Sequence, residues 1–308
     1  ADYLQMLPNV SYIATGPASG NIYIRGISSG GESSLGANPS VAVYLDEQPV
    51  TAVGEFLNPH IYDVSSIEVL AGPQGTTYGA NAQAGAMRII TNQPDPSGFS
   101  AGFTVDGNQP KSGDIGFLAE GFANIPLNDR AAIRLVGYYK RDAGYIDNVP
   151  STHTFRRGYI RDGLTDPALI ALAADQTFDN YDIAEENFNE ATTIGGRAAL
   201  RIDLNDSWTV TAGVMYQDLE SKGVWDHDPT DVGDLQVKRY LPDFYNDQFR
   251  MLSLKVEGEI AGGTLTASYG DLDRDQNGQV DYSLYSDHYI AYGYVEPYYS
   301  CYVSYLGF

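Results

Sequence analysis

A glycine-rich stretch, IEVLAGPQGTTYGANAQAGAMRIIT at residues 67–91, has the spacing that comes nearest to a phosphate-binding loop. Such loops cradle phosphate when a lysine completes G-x-x-x-x-G-K-[ST], or when G-x-G-x-x-G opens an apolar helix. Here the glycines follow G-x-x-G-x-x-x-G, and no lysine lies between Ala1 and Asn108. The stretch therefore predicts a turn-rich connection between two strands and disfavours a nucleotide site.

Acidic residues near the end of the chain could bind a cation. The four candidate ligands are Asp273, Asp275, Asn277 and Asp281. They fit the first positions of an EF-hand-like calcium loop, but Leu284 replaces the bidentate glutamate of position twelve. The alternative is an acidic hairpin that turns at Asn277–Gly278, a strong type I′ signal. We expect no cofactor, with calcium as the alternative.

Catalytic chemistry has little support in the remaining residues. Asp226-His227-Asp228 offers metal ligands, but the triplet favours a solvated loop over a metal site. The four histidines are scattered, and no Ser/His/Asp arrangement stands out. The single cysteine, Cys301, excludes an internal disulfide framework and a cysteine-cluster metal site. We expect a protein that is not an enzyme.

The composition limits the classes of partner that the protein can bind. The 308 residues carry a net charge of −22, which argues against nucleic acid because phosphate binding needs clustered Lys and Arg. Ala1 opens the sequence without a basic segment, so we expect a mature or trimmed chain. No segment is long and apolar enough for a transmembrane helix, which leaves transmembrane β-strands open.

Two regions of the chain differ in their strand pattern. Residues 1–96 contain short apolar runs broken by Gly, Pro and Asn, typical of a small α+β unit. Two prolines in 92–96 prevent continuous hydrogen bonding between strands across this segment. After Pro96 the predicted strands reach ten residues or more and alternate with period two. We therefore predict one domain at 1–96 and a second at 97–308.

Three features of the second domain favour a membrane barrel over a soluble sandwich. Charges lie almost wholly on one face of each strand, aromatic residues mark strand ends, and short connections alternate with long ones at 143–191 and 221–247. One long connection has helix signals, with Asp166 as N-cap before Pro167 and an alanine-rich run over 168–174.

The number of strands is small for such a barrel. Seven clear strands and a tyrosine-rich eighth near 280–305 would form a barrel filled by its own side chains, whereas about 22 strands enclose a separate domain. Either residues 1–96 lie outside the barrel, or the chain is the first third of a larger barrel. We expect the second. The native protein should exceed 33.5 kDa by about a factor of two or more.

The opening stretch also resembles the end of the plug domain of TonB-dependent outer-membrane receptors. Further blocks agree in the same order: LQMLPNVS at 4–11, IRG at 24–26 and VAVYLDEQPV at 41–50. RLVGYYKRDAGYIDN at 134–148 resembles the start of the family's barrel, and agreement fades after about residue 285. The resemblance implies a mainly β protein: an α+β plug followed by the first antiparallel strands of a transmembrane β-barrel.

The resemblance also implies a function, active nutrient uptake across the bacterial outer membrane, and several partners. Energy would come from the inner-membrane TonB complex, and outer-membrane lipid would surround the barrel. The nutrient would be a ferric siderophore by default, with oligosaccharides, cobalamin or aromatic compounds as alternatives. The family's TonB box would lie upstream of Ala1. A different class of protein also fits the residues: a secreted β-rich binding module with an acidic, calcium-bound surface.

Site residues follow from the resemblance and from topology. The family pairs two plug arginines with barrel glutamates; here Arg25 remains, Ala71 replaces the second, and Arg88 is a candidate substitute. Ligand is expected to meet the plug at loops 28–38, 54–60 and 78–83, which face the barrel opening. The expected ligand contacts are Ser28, Ser29, Ser33, Ser34, Asn38, Phe56, Asn58, His60, Tyr78 and Asn81. These loops also fit ordinary polar turns.

Overall fold

Two sheets carry the architecture, a four-stranded sheet near the N-terminus and a seven-stranded antiparallel sheet after it. The computed structural model of the chain describes residues 4, 7, 9–14, 16, 20–27, 39–51, 57–155, 176–223, 225–285 and 287. The helix expected at 168–174, Cys301 and most of the eighth strand expected at 280–305 lie outside these residues.

The N-terminal elements are short, as the broken apolar runs predict. They are β1 Val10–Ala14, β2 Gly20–Ile24, β3 Val41–Leu45, β4 Gln48–Pro49, β5 Val64–Ala71, the one-turn helix α1 Gly75–Tyr78, and β6 Gly85–Thr91. β1 and β2 form an antiparallel hairpin. The four-stranded sheet has the order β4-β3-β6-β5, with β3 parallel to β6.

Gly85 explains why the glycine-rich stretch has its composition. Its φ is 154°, and a Cβ on it would come within 2.3 Å of the Leu70 carbonyl oxygen. Gly79, with φ 67°, caps α1 in the left-handed region that glycine adopts without steric cost. The glycines serve tight turns and close backbone approach, as expected for a connection between strands.

The second part of the chain is built from long strands. They are β7 Ser100–Asn108, β8 Gly116–Asn128, β9 Ala131–Asp142, β10 Asp147–Asn148, β11 Thr152–Phe155, β12 Gln176–Asp179, β13 Ala191–Asn205, β14 Trp208–Lys222, β15 Gln236–Val237, β16 Phe244–Ile260 and β17 Gly263–Gln279. The seven long ones form one sheet of order β17-β16-β14-β13-β9-β8-β7, here called the wall. The wall is not closed.

Connections in the wall alternate in length, as predicted. Residues 129–130, 206–207 and 261–262 make tight turns at one rim. The connections at 109–115, 143–190 and 223–243 lie at the opposite rim. Short turns at one rim and long loops at the other are the pattern of outer-membrane barrels. Among the described residues, no helix has the length and apolar composition to cross a membrane.

The two faces of the wall differ in charge. On β9 the outward positions Leu135 and Tyr139 are exposed and uncharged, whereas Arg134 and Tyr138 on the inward face are buried. A charged side chain at mid-bilayer on the lipid face would cost about 2–4 kcal/mol, so this separation is the one that a membrane wall requires.

Outward tyrosines give the tilt of the strands. Following the register across the wall, Tyr139 on β9 is level with Asp275 on β17, but the corresponding tyrosine of β17 is Tyr269, six residues earlier. Six residues of strand span about 20 Å, and the four strand spacings between β9 and β17 span about 19 Å. If these rings mark one membrane interface, the strands tilt by about 45°, within the range of membrane barrels.

A shared core joins the two sheets. Ile24, Val43 and Met87 of the N-terminal domain pack in one cluster with Met215, Phe249 and Met251 of the wall. Phe249 is only 1% exposed, although it belongs to the wall. The N-terminal domain therefore lies against the inward face and completes its own core with wall side chains.

One predicted turn is wrong. Asn277 and Gly278 do not turn, because β17 continues to Gln279 and stays paired with β16 as far as Phe244. Pairing along 17 residues of each strand outweighs the local preference of Asn-Gly for a type I′ turn.

Candidate functional site at the interface between plug and wall

An irregular segment at residues 57–63, here called the plug strip, runs along the inward face of the wall. Gln217 of β14, 1% exposed, holds its backbone. The Gln217 side chain donates from Nε2 to the Asn58 carbonyl (3.1 Å) and accepts at Oε1 from the His60 N–H (2.8 Å). Tyr138 donates to the same Oε1 at 3.0 Å. A buried amide whose groups are all paired stabilises the interface, because leaving one unpaired costs about 1–3 kcal/mol.

His60 is the strip residue most enclosed by ionisable groups. Its Nε2 lies 2.7 Å from Glu120 Oε2, and its ring lies 4.4 Å from the Tyr138 ring, centroid to centroid. Burial lowers the pKa of His60, and the nearby Lys140 acts in the same direction, whereas Glu120 opposes the shift. At neutral pH the imidazole is therefore neutral and joins Glu120 by a hydrogen bond.

Asp63 ends the strip between two arginines of the wall. Arg134 donates to both carboxylate oxygens, and Arg197 donates to Oδ2 at 2.9 Å and to the Asp63 carbonyl at 3.0 Å. The Asp63 side chain is 2% exposed, and those of Arg134 and Arg197 are 10% and 11% exposed. Arg134 also lies over the Phe122 ring, 4.5 Å from its centroid. Desolvation makes such a cluster expensive to break by removing one partner.

The turn after β3 makes a second contact with the wall. Glu47 Oε1 lies 3.2 Å from Lys255 Nζ, and Gln48 donates to the Tyr269 carbonyl at 3.1 Å. Gly270 allows this approach, since a Cβ there would lie 2.0 Å from the Gln48 side chain. As at Asp63, the acid comes from the N-terminal domain and the base from the wall.

The end of the domain fixes which way it faces. Asn124, near the tight-turn end of β8, accepts from the Asp95 N–H and donates to the Asp95 and Gly98 carbonyls. β6 therefore runs toward the rim with the tight turns, and the connection 72–84 before it lies at the opposite end of the domain. This is the end that faces the long loops.

The predicted ligand contacts fall into three groups. Tyr78 and Asn81 lie on the connection 72–84, both half-buried, and Tyr78 packs edge-on against Tyr44 at 5.3 Å. Asn58 and His60 instead lie in the interface with the wall. The remaining six, Ser28, Ser29, Ser33, Ser34, Asn38 and Phe56, lie outside the described residues. A ligand role for any of them stays a prediction.

The two predicted latch arginines are not brought together. Arg25 is exposed in the turn after β2, with φ 54° and its N–H donated to the Asn9 carbonyl. Arg88 pairs with Glu68 at 2.8 Å, across β6 and β5. A latch role for either stays a prediction, whereas the observed ion pairs to the wall use other residues.

Sequence reasoning missed Asp63, Arg134 and Arg197 as partners. Alternation did place Arg134 and Arg197 on the face opposite to the apolar one. It gave no sign that their common partner would be an aspartate 71 and 134 positions away. For Gln217, likewise, the only indication in the sequence was its position on the polar face of β14.

The candidate calcium ligands lie in extended backbone. Asp273, Asp275 and Asn277 occupy alternate, outward positions of β17 and do not curl into a loop. Asp273 lies 3.7 Å from Arg250, and Asp281 accepts backbone N–H groups of Tyr240 and Leu241. The described residues contain no cluster of three or more metal-ligating side chains. A calcium role stays untested.

Comparison with known proteins bears on the N-terminal domain first. The family described as "TonB-dependent Receptor Plug Domain" matches residues 1–86. The pesticin receptor of Yersinia pestis is 42% identical over 88 residues, which are 27% of this chain and 13% of that protein. The catecholate siderophore receptor Fiu of Escherichia coli K12 is 29% identical over 112 residues, 35% of this chain and 14% of that protein.

Solved structures extend the likeness into the wall. The ferric yersiniabactin uptake receptor FyuA from Yersinia pestis superposes with a TM-score of 0.61 at 18% identity, over 89% of this chain and 38% of that one. The siderophore receptor PiuA from Acinetobacter baumannii gives 0.58 at 16% identity, over 89% and 34%. Residues 1–86 therefore match the plug domain of TonB-dependent receptors, and the wall shares the fold of the barrels of such receptors.

The receptor chain contains the plug and part of the barrel, as predicted, and its location is the bacterial outer membrane. It spans about 38% of the length of FyuA. The proteins that it matches are named as receptors.

Proposed function

We propose that the receptor is an active transporter that takes up a scarce nutrient across the outer membrane, a ferric siderophore by default, with energy from the TonB complex. The observation that carries this proposal is a plug domain seated on the inward face of a membrane wall by buried polar contacts at Gln217 and Asp63. Such contacts keep the plug in the pore. Because they are hydrogen bonds and ion pairs, water can replace them when they break.

The relatives support the substrate class. FyuA is named for ferric yersiniabactin uptake, and Fiu for catecholate siderophores. Ferric siderophores are therefore the first substrates to try, before oligosaccharides and cobalamin. The alternative of a secreted binding module is not favoured, because the matching proteins are receptors and the wall has the fold of their barrels.

The proposed function is tested by iron uptake in whole cells. Cells that lack the native receptor are compared with complemented cells, using radio-iron loaded on a catecholate and on a hydroxamate siderophore. We expect receptor-dependent uptake of at least one of them, and its loss in a strain without TonB. Uptake that is equal with and without the receptor for every nutrient tried would contradict a transport role.

Energy coupling is tested separately from substrate choice. Binding to purified receptor should survive the loss of TonB, while accumulation inside cells should not. If accumulation persists without TonB at the same rate, the receptor is a passive pore and the energetic part of the proposal is wrong.

A further inference from the structure

The outer loops enclose a cavity that is separate from the plug strip. It has a volume of about 180 Å³ and lies where the connection 223–243 meets the residues after β17. Its lining combines charged residues (Asp226, Lys238 and Arg239) with apolar and aromatic ones (Val280, Tyr282 and Tyr285). A cavity of about 150 Å³ accepts a benzene ring, so this one holds a single ring with substituents.

The floor of the cavity is fixed by two aspartates, in an arrangement here called the outer clasp, residues 239–243 with 281–283. Asp281 accepts the backbone N–H groups of Tyr240, Leu241 and Ser283, and Asp243 accepts the N–H of Asp281. These bonds join residues 239–243 to residues 281–283 before any ligand arrives. A preorganised floor lowers the entropic cost of binding.

Arg239 already bonds to residues of this floor. It donates to the Asp281 carbonyl at 3.0 Å and to Asp226 Oδ2 at 2.8 Å. Its Nε lies 2.9 Å from Asp243 Oδ2, an ion pair in which the N–H is not directed at the oxygen. With its charge balanced by Asp226 and Asp243, Arg239 has little left to offer a ligand.

Lys238 is the cation that remains. It is half-buried and lines the cavity, and no carboxylate in the described part of the chain forms an ion pair with it. An ammonium group in this position gains from an anionic partner that enters the cavity. The second oxygen of Asp226 can accept a hydrogen bond from a hydroxyl on the same partner.

The opposite side of the cavity supplies aromatic surface. Tyr282 and Tyr285 meet edge to face with centroids 5.8 Å apart, and each is 51% exposed. Val280 beside them is 42% exposed. Exposed rings grouped at one cavity are typical of a ligand contact, and a third ring would pack against them at low entropic cost.

We propose that the outer cavity binds a small hydroxylated aryl carboxylate. The ring would pack against Tyr282 and Tyr285, the carboxylate would pair with Lys238, and the hydroxyl would donate to Asp226. Binding of such a molecule does not depend on transport. Its role as first contact for a substrate bearing this group rests on the proposed function.

The test measures salicylate binding to the intact native receptor in detergent by saturation-transfer NMR. We expect binding that weakens at least five-fold in Lys238→Met and in the double variant Tyr282→Ala/Tyr285→Ala, and is retained in Lys238→Arg. Lys111→Met is the matched control, since Lys111 is an exposed lysine of another outer loop. Benzyl alcohol, which lacks the charge, and cyclohexanecarboxylate, which lacks the aromatic ring, should each bind more weakly than salicylate.

Equal binding of salicylate by the Lys238→Met and Lys111→Met variants would overturn the proposal, as would equal binding of the three probes. Loss of binding in Lys238→Arg as well would also overturn it, because the charge would then not be the cause. A receptor that fails to transport iron in cells but binds salicylate with this pattern would contradict the proposed function and leave the cavity assignment standing.

Discussion

The plug strip and the outer clasp are both buried polar interfaces, but they join different things. The strip joins a domain to the wall through long side chains: Gln217 to backbone, and Arg134 and Arg197 to Asp63. The clasp joins two loops through short aspartates that accept backbone N–H groups, Asp281 above all. The strip is an interface between two domains, whereas the clasp shapes a loop surface.

Charge sharpens this difference. The plug contributes acids and the wall contributes bases at both Asp63 and Glu47, which is the reverse of the arginine latch expected from the family. Plug residues 1–96 contain only Arg25 and Arg88 as cations, so a plug of this composition can be held by charge only if the wall is basic. The comparison therefore predicts that the cations on the inward face of the wall stabilise the seated plug.

The largest effect is expected at Asp63. Asp63→Asn leaves two nearly buried arginines without a carboxylate and should destabilise the plug by about 3–5 kcal/mol. Pulse proteolysis of residues 57–96 over a urea series measures the change. The control is Asp206→Asn, which removes an exposed pair with Arg130 and should leave the urea midpoint unchanged. Equal midpoints for the two variants would show that the strip is not held by charge.

A pair of glycines in the wall tests packing beneath the strip. A Cβ on Gly195 would lie 2.4 Å from the Tyr138 hydroxyl and 2.6 Å from the Tyr216 carbonyl, whereas Gly137 has open space. Gly195→Ala should displace Tyr138 from Gln217 and cost about 1–3 kcal/mol, with Gly137→Ala near neutral. The same proteolysis measures both, and a matched loss in the two variants would mean that strand glycine content, not the Tyr138–Gln217 bond, sets the stability.

Acid is expected to loosen the strip. Burial lowers the pKa of His60 below its ordinary value of 6.5, so the seated strip holds the neutral imidazole. The seated state therefore loses stability as pH falls through 6.5, because the released imidazole binds the proton more tightly. After correction for the slower intrinsic exchange of amides in acid, the protection factors of 57–63 should be lower at pH 5 than at pH 7.5, and His60→Gln should flatten the difference. Higher protection factors at pH 5 would mean that the ion pair with Glu120 dominates.

The clasp should respond in the opposite direction. Burial raises the pKa of Asp243 to about 6, against an ordinary 3.8, although Arg239 opposes the shift. The closed clasp binds the proton more tightly than an open one, so it gains stability as pH falls through about 6. After correction for intrinsic exchange, the protection factors of residues 240 and 241 should rise between pH 7.5 and pH 5, and Asp243→Asn should remove this rise. Lower protection factors at pH 5 would contradict the assignment.

The sequence predicted the features that depend on neighbouring residues along the chain. Period-two alternation placed the long strands and their faces, since a side chain on a strand must point to one side or the other. Charge on one face then separated the inward Arg134 and Arg197 from the outward residues. Four ordered blocks identified the plug before any contact was known.

The sequence could not choose partners across the interface. Asp63 follows Tyr62 in an irregular segment with φ 53°, and its arginines come from strands far along the chain. Asn277–Gly278 had the opposite problem, because its local turn preference was strong and the long ladder with β16 outweighed it. Both outcomes depend on the assembled sheet, which no window of residues encodes.

Gln217 has an evolutionary consequence. Its amide bonds only the main chain of the plug strip, at the Asn58 carbonyl and the His60 N–H. Mutational drift at position 58 can therefore change the side chain without weakening this hold, whereas proline at position 60 would remove the donor. Lineages of this receptor should never carry proline at 60, and Gln217 itself should be replaced only together with a change in how the strip is held.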